Sequence, residues 1–489
     1  MRFRTLLVAA LVVSLGSVAF AELQNVEIGG NIRIRGNYYN LQRSDTPTWL
    51  GRTFEFFGLM DRVRRTRSRT SFVEQRTRLN VKADFTQDVS AFIEFDYYHN
   101  WGDDFRSNYL TGADWRGGQN NNVDLYQGYI EAKDMWGTPL AMRVGRQELA
   151  FGNQLLVGVN DTSSLYTGLS FDALRLSFAN DVVSIDAVAA KLAENYGNVL
   201  DDDVDLYALY LSYIGIEDVA LDAYWLFIRD DMGAIANIIR GTTVDLHTIG
   251  LRGAGVINAF DFELEAAYQF GDVDGVPNPW FRLFNREADV DFSEFTVNAE
   301  VGYTFDATWY PRVFARFAYI GGGSPNRSCW NNNATLPFNR LFSNVRYSEL
   351  LDIQQQMSNV LFYSLGVQAM PTEALELKLA VSYFHADNRD RSLDRRGWWG
   401  SRRGRGWWGR RTRSRSGIGW EAGIEADYHY SEDLVIRAGY SHFFSSSSGP
   451  QNFIATNGLA RFSPRLNRWL VRDTSSNYHY LFVETEVSF

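Results

Sequence analysis

The chain has 489 residues and a formal net charge of −10; 45% of it is hydrophobic and 15% aromatic, with 41 glycines, 10 prolines and one cysteine. A lone cysteine excludes a disulfide-stapled scaffold, and six scattered histidines with no paired Cys exclude an ordinary zinc site. The hydrophobic residues fall in short alternating segments with no linker between them, which argues against several soluble domains and for one continuous sheet.

Arg2 and Arg4 precede an apolar run from Leu6 to Val13, and Ala19-Phe20-Ala21 supplies the small-x-small pattern of a cleavage site. Residues 1–21 are therefore predicted to be a secretory signal peptide. Their apolar core is too short for a spanning helix, which needs roughly 20 residues.

From about residue 26 to residue 489 the pattern has period two. Phe262, Leu264, Ala266, Tyr268 and Phe270 share one face while Glu263, Glu265 and Gln269 share the other. Leu375, Leu377, Leu379, Val381 and Tyr383 likewise oppose Glu376, Lys378 and Ser382. Segments of 10 to 13 residues exceed the usual sandwich strand of about 5 or 6 and suit strands with one face in hydrocarbon and the other in water. The predicted strands are 27–39, 72–85, 89–98, 122–133, 139–149, 169–179, 182–194, 203–214, 219–229, 243–254, 260–271, 292–303, 312–320, 359–370, 375–385, 417–429, 434–444 and 477–489.

Short connections at 86–88, 180–181, 215–218, 371–373 and 431–433 alternate with long ones at about 40–71, 99–121, 272–291, 321–358, 386–416 and 445–476. Short periplasmic turns and long outer loops are the habit of outer-membrane barrels. The expected fold is thus all-β: a transmembrane antiparallel barrel of about 18 strands (residues 22–489), both termini periplasmic. Its last strand alternates Leu481, Val483, Thr485, Val487 and Phe489 against Glu484 and Glu486, a terminal pattern suited to the outer-membrane assembly machinery.

The stretch Val144-Gly145-Arg146-Gln147-Glu148-Leu149-Ala150-Phe151-Gly152-Asn153-Gln154, followed by Phe171-Asp172-Ala173-Leu174-Arg175-Leu176, resembles the hallmark region of the alginate export family of outer-membrane porins. Gly423 to Tyr430, Gly439-Tyr440-Ser441-His442-Phe443-Phe444 and the segment from Leu361 to Tyr383 extend the resemblance over nearly the whole mature chain. It implies an eighteen-stranded channel, and its best-known member exports an acidic exopolysaccharide through a positive lumen. The resemblance supports a channel more firmly than it supports alginate as the solute.

Arg33, Arg35, Arg76, Arg78, Arg175, Arg312, Arg316 and Arg437 are expected inward by alternation. Arg146 joins them only if its strand bulges near Gly145. Inward guanidiniums attract carboxylates and hold them with paired hydrogen bonds. Glu74, Glu94, Asp96, Glu263, Glu300, Glu421, Glu425, Glu484 and Glu486 share that face on the same register, and Asp172 is expected among the pore-lining acids as an ion-pair partner for the arginines. A balanced lumen of this kind would make a weakly selective porin. The net charge decides nothing, since a pore's field depends on where charges sit.

Residues 389–416 contain eleven arginines and repeat Arg-Gly-Trp-Trp-Gly at 396–400 and 405–409, setting Arg396, Trp398, Trp399, Arg405, Trp407 and Trp408 in an external basic loop. Arg64-Arg65-Thr66-Arg67-Ser68-Arg69 in the first long loop is similar. Low complexity and repelling charge argue against a packed core there. Arginine interleaved with tryptophan suits lipopolysaccharide or a polyanionic sugar matrix, whereas an outer-membrane address argues against nucleic acid. No catalytic constellation emerges: His442 and Ser445 lack an orienting group at readable spacing, and Gly321-Gly322-Gly323 lacks a following Lys. The expectation is a passive, anion-preferring channel, a candidate exporter of an acidic exopolysaccharide such as alginate, with no cofactor and no metal. Its partners would be outer-membrane lipid, an anionic solute or polysaccharide, the assembly machinery and periplasmic export components. The alternatives are a general porin for small organic anions and an adhesion barrel presenting basic loops.

Overall fold

Alternation of apolar and polar residues builds one sheet. The computed structural model describes residues 24–41, 69–85, 88–102, 123–161, 168–194, 203–231, 243–274, 290–325, 334–352, 357–387, 417–446 and 477–489. Its strands are β1 (Asn25–Leu41), β2 (Arg69–Asp84), β3 (Val89–Asn100), β4 (Asp124–Ala132), β5 (Leu140–Gln147), β6 (Phe171–Ala179), β7 (Val183–Ala193), β8 (Val204–Ile216), β9 (Val219–Asp230), β10 (Thr243–Ile257), β11 (Phe260–Asp274), β12 (Val290–Thr304), β13 (Arg312–Ile320), β14 (Ser324–Pro325), β15 (Ala334–Leu336), β16 (Val360–Thr372), β17 (Leu375–Ala386), β18 (Gly417–His429), β19 (Leu434–Ser445) and β20 (Asn477–Ser488).

Eighteen of these form the wall. Each pairs antiparallel with its neighbours, β13 with β16 across the two short strands, and β1 with both β2 and β20. The sheet therefore closes and leaves no edge unpaired. Every predicted strand is present, with its ends within three residues of those read from alternation. The short β14 and β15 were not anticipated. They lie in the connection between β13 and β16, where β15 pairs parallel with β12. Both described ends sit on the short-turn rim, where Gln24 N–H donates to Asp84 and Gly30 and Phe489 exchange backbone bonds.

Outward positions are apolar, as Leu251, Leu264, Leu365 and Leu379 show, each more than half exposed without a bilayer. Tyr207, Phe227, His247 and Phe270 stack in a row across four strands toward the long-loop end. Phe260, Tyr303 and Phe305 cluster toward the other end. Two aromatic girdles flanking an apolar band mark the wall of a membrane barrel. Among the described residues no helix is long and apolar enough to cross a membrane.

The lumen is not empty. Leu149, Phe151, Leu155, Leu156 and Val157 from the β5–β6 connection pack with Phe338, Tyr347 and Met357 from the β13–β16 connection. Val157 and Phe342 form a parallel bridge, and Asn344 Nδ2 donates to Gln154 Oε1 at 2.8 Å. Two loops thus fold inward and meet. The predicted signal peptide, the cluster from Arg64 to Ser68, Cys329 and the loop carrying Arg396, Trp398, Trp399, Arg405, Trp407 and Trp408 lie outside the described residues.

Candidate functional site: the charged lumen

The register of β1 against β2 sets Arg33 opposite Arg76 and Arg35 opposite Glu74, all on the inner face. Like charges directly opposite each other destabilise a sheet unless counter-charges intervene. Two sources supply them. Glu484 on β20, fully buried, meets Arg33 Nε at 3.0 Å, Arg35 Nε at 2.7 Å and Arg437 Nη1 at 2.7 Å. Asp161, midway along the β5–β6 connection, accepts from Arg76 and from Arg33 Nη1 at 3.3 Å through its carboxylate, and its carbonyl accepts from Arg33 at 3.0 Å. Burial pushes the Asp161 carboxyl up, but Arg76, then Arg33 and Arg78, outweigh it and hold the group below the usual carboxylate range.

The neighbouring wall continues the pattern. Arg78 lies over the Tyr126 ring at 3.8 Å and reaches Asp96 at 3.7 Å and Glu148 at 3.4 Å. Burial pushes Glu148 up despite the Tyr126 hydroxyl that donates to it at 2.6 Å. Glu74 accepts from Asn37 and Tyr98, and Glu94 accepts from Gln127. Further round, Arg175 pairs with Asp186 at 2.7 Å, Arg252 with Asp222 and Glu263, Arg312 with Asp261 and Glu300, and Arg316 with Glu300 at 3.3 Å. Arg437 also reaches Glu486 and Asp427. Glu425 borders a small cavity, about 130 Å³, with Arg316, Arg346, Lys378 and Glu421 around it.

Arg33, Arg35, Arg76, Arg78, Arg175, Arg312, Arg316 and Arg437 therefore share the inner face, but not as a bare positive lining: carboxylates interleave with them. Arg146 and Asp172 correct the sequence reading. They hold each other through two bonds of 2.8 Å on the outer face, level with exposed Val144 and Leu174, while Phe171 and Ala173 point inward. The bulge at Gly145 on which an inward Arg146 depended does not occur, and the pairing runs through it unbroken. Its φ of +127° and the close approach of the Gly128 carbonyl are why a glycine stands there. Arg146 and Asp172 instead begin an outer charge ladder, Arg146, Asp172, Lys191, Asp205, Arg229 and Asp245 in register across β5 to β10.

Asp161, Asn344, Gln154, Asp186 and the buried Arg340–Asp352 pair escaped the sequence reading. One signal was available: Leu149, Phe151 and Leu155 to Val157 are too apolar for a loop exposed to water. Among the described residues no cluster of His, Cys, Asp and Glu could hold a metal.

The family model described as "Alginate export" matches residues 50–447. Among solved structures, OccK8 (OprE) of Pseudomonas aeruginosa matches with a TM-score of 0.53 and 10% identity over 95% of this chain and 98% of that one. OccK9 (OpdG) of the same organism gives 0.53 and 9% identity over 95% and 99%, and OccAB1 of Acinetobacter baumannii 0.51 and 10% over 94% and 97%. At such identity the likeness is one of fold. No curated protein matches the sequence. A closed eighteen-stranded wall with lipid-suited girdles, together with a family match over most of the chain, leads to one conclusion: the chain belongs to the alginate export family and is a channel-type β-barrel of the outer membrane.

Proposed function

We propose that this protein is a passive diffusion channel for small organic anions, chiefly carboxylates. The observation that carries the reading is the Arg33–Arg76 pair: two buried guanidiniums on adjacent strands turned toward one carboxylate from a loop. That arrangement has the chemistry to hold a solute carboxylate through charge-assisted hydrogen bonds. The packed inward loops favour small solutes over a wide bore. Interleaved carboxylates favour moderate selectivity over a strongly positive tunnel.

Export of an acidic exopolysaccharide is the second reading, favoured by the family's description. A polymer would require both inward loops to withdraw. Lipopolysaccharide around the wall and against the basic loop 389–416, the assembly machinery at Phe489, periplasmic export components and periplasmic termini belong to the same proposal. Liposome swelling tests it: gluconate is expected to enter faster than a neutral sugar of equal size, and uronate oligomers slowly or not at all. Fast oligomer entry would favour the polymer, and no entry of any solute would leave an adhesion barrel.

A further inference from the structure

We propose that Asp161 is a built-in competitor: it occupies the carboxylate site formed by Arg33 and Arg76, and an arriving solute carboxylate displaces it and frees the inward loops. This deepens the channel reading and rests on it. Asp161 is the water-facing member of the cluster, with its side chain 30% exposed against 10% for Arg33 and 0% for Arg76. The arginines are fixed by the barrel wall, and Arg33 is also anchored by Glu484. Asp161 arrives on a loop, so it is the partner that exchanges.

Its release would be transmitted. Asp161 N–H donates to Asn344 Oδ1 at 3.1 Å, Asn344 Nδ2 donates to Gln154 Oε1 at 2.8 Å, and Asn344 N–H donates to the Gln154 carbonyl at 2.9 Å. Gln154 precedes the Val157–Phe342 bridge that joins the two loops. Asp161 is therefore a tie from both loops to the β1–β2 wall, beside Glu148 on Arg78 and Leu350 against the Tyr39 cluster. A ligand biases such a two-state element by binding one state better than the other. Here an external carboxylate gains the Arg33–Arg76 site only where Asp161 has left it.

The test is planar-bilayer conductance of the full chain at fixed chloride, with gluconate as probe. Wild type is expected to conduct weakly and to rise several-fold with millimolar gluconate. D161N should start high and respond little; R76Q should start high and not respond. N344A loosens the loop without touching the carboxylate site, so it should start high yet still shift its reversal potential with gluconate as bound anion accumulates. D161N responding as wild type, or N344A losing the gluconate effect as fully as D161N, would overturn the proposal while leaving a conducting channel. Silence of every variant, with heat-modifiable folded barrels, would overturn the channel reading and the proposal together.

Discussion

At the scale of single residues, the lumen is a set of charges whose neutralisation is non-local. Glu484 is fully buried and serves Arg33, Arg35 and Arg437 at once. Replacing it by alanine would leave three guanidiniums without that partner. The expected loss is roughly 3 kcal/mol, the low end for a broken buried pair because Arg437 keeps contact with water; urea unfolding from lipid vesicles checks it. Asp161 gives a pH prediction. Its carboxyl is held below the usual range, so its ion pairs contribute fully above the unfolded value near 3.8 and fail as pH falls through the folded value below that. Conductance from this group should stay flat between about pH 5 and 8 and rise only in stronger acid; a step near neutrality would assign the opening to another group. Alternation alone assigned the faces of Arg76 and Arg175. It could not name their partners, because the partner of a wall residue is set by the register of another strand or by a loop.

At the scale of elements, strand positions were legible to within three residues at each end, because a wall between hydrocarbon and water enforces period two along its whole length. The β5–β6 and β13–β16 connections were not, since what fixes them is contact with each other across the lumen. Two cysteines placed by V157C and F342C, in a chain also carrying C329S, are expected to cross-link and to lower conductance, with recovery on reduction. Unchanged conductance in the oxidised form would mean that these loops do not obstruct the path. An inward Arg146 required a bulge at Gly145, and the pairing there is unbroken. The glycine is needed for a positive φ and for close approach to Gly128, two demands that sequence does not distinguish from a bulge. Substitution by valine should cost roughly 1 to 3 kcal/mol and reduce the folded fraction in refolding assays.

At the scale of the whole molecule, eighteen strands closed by β1 against β20 make a wall whose outer face is suited to lipid and whose inner face is charged on nearly every strand. The architecture was legible from strand count and loop rhythm before any comparison, while the solute was not, because opposed charges in the lumen cancel unless their geometry is known. Protease added to intact cells is expected to cut within 389–416 and to spare the short turns; cleavage only after permeabilisation would reverse the orientation. The central claim is that the Arg33–Arg76 wall gives the channel its preference for anions. The most direct test is the reversal potential across a potassium chloride gradient for wild type and the double variant R33Q/R76Q, both shown to be folded barrels. Wild type should be anion-preferring and the double variant should move clearly toward cations. The same reversal potential in both would contradict it.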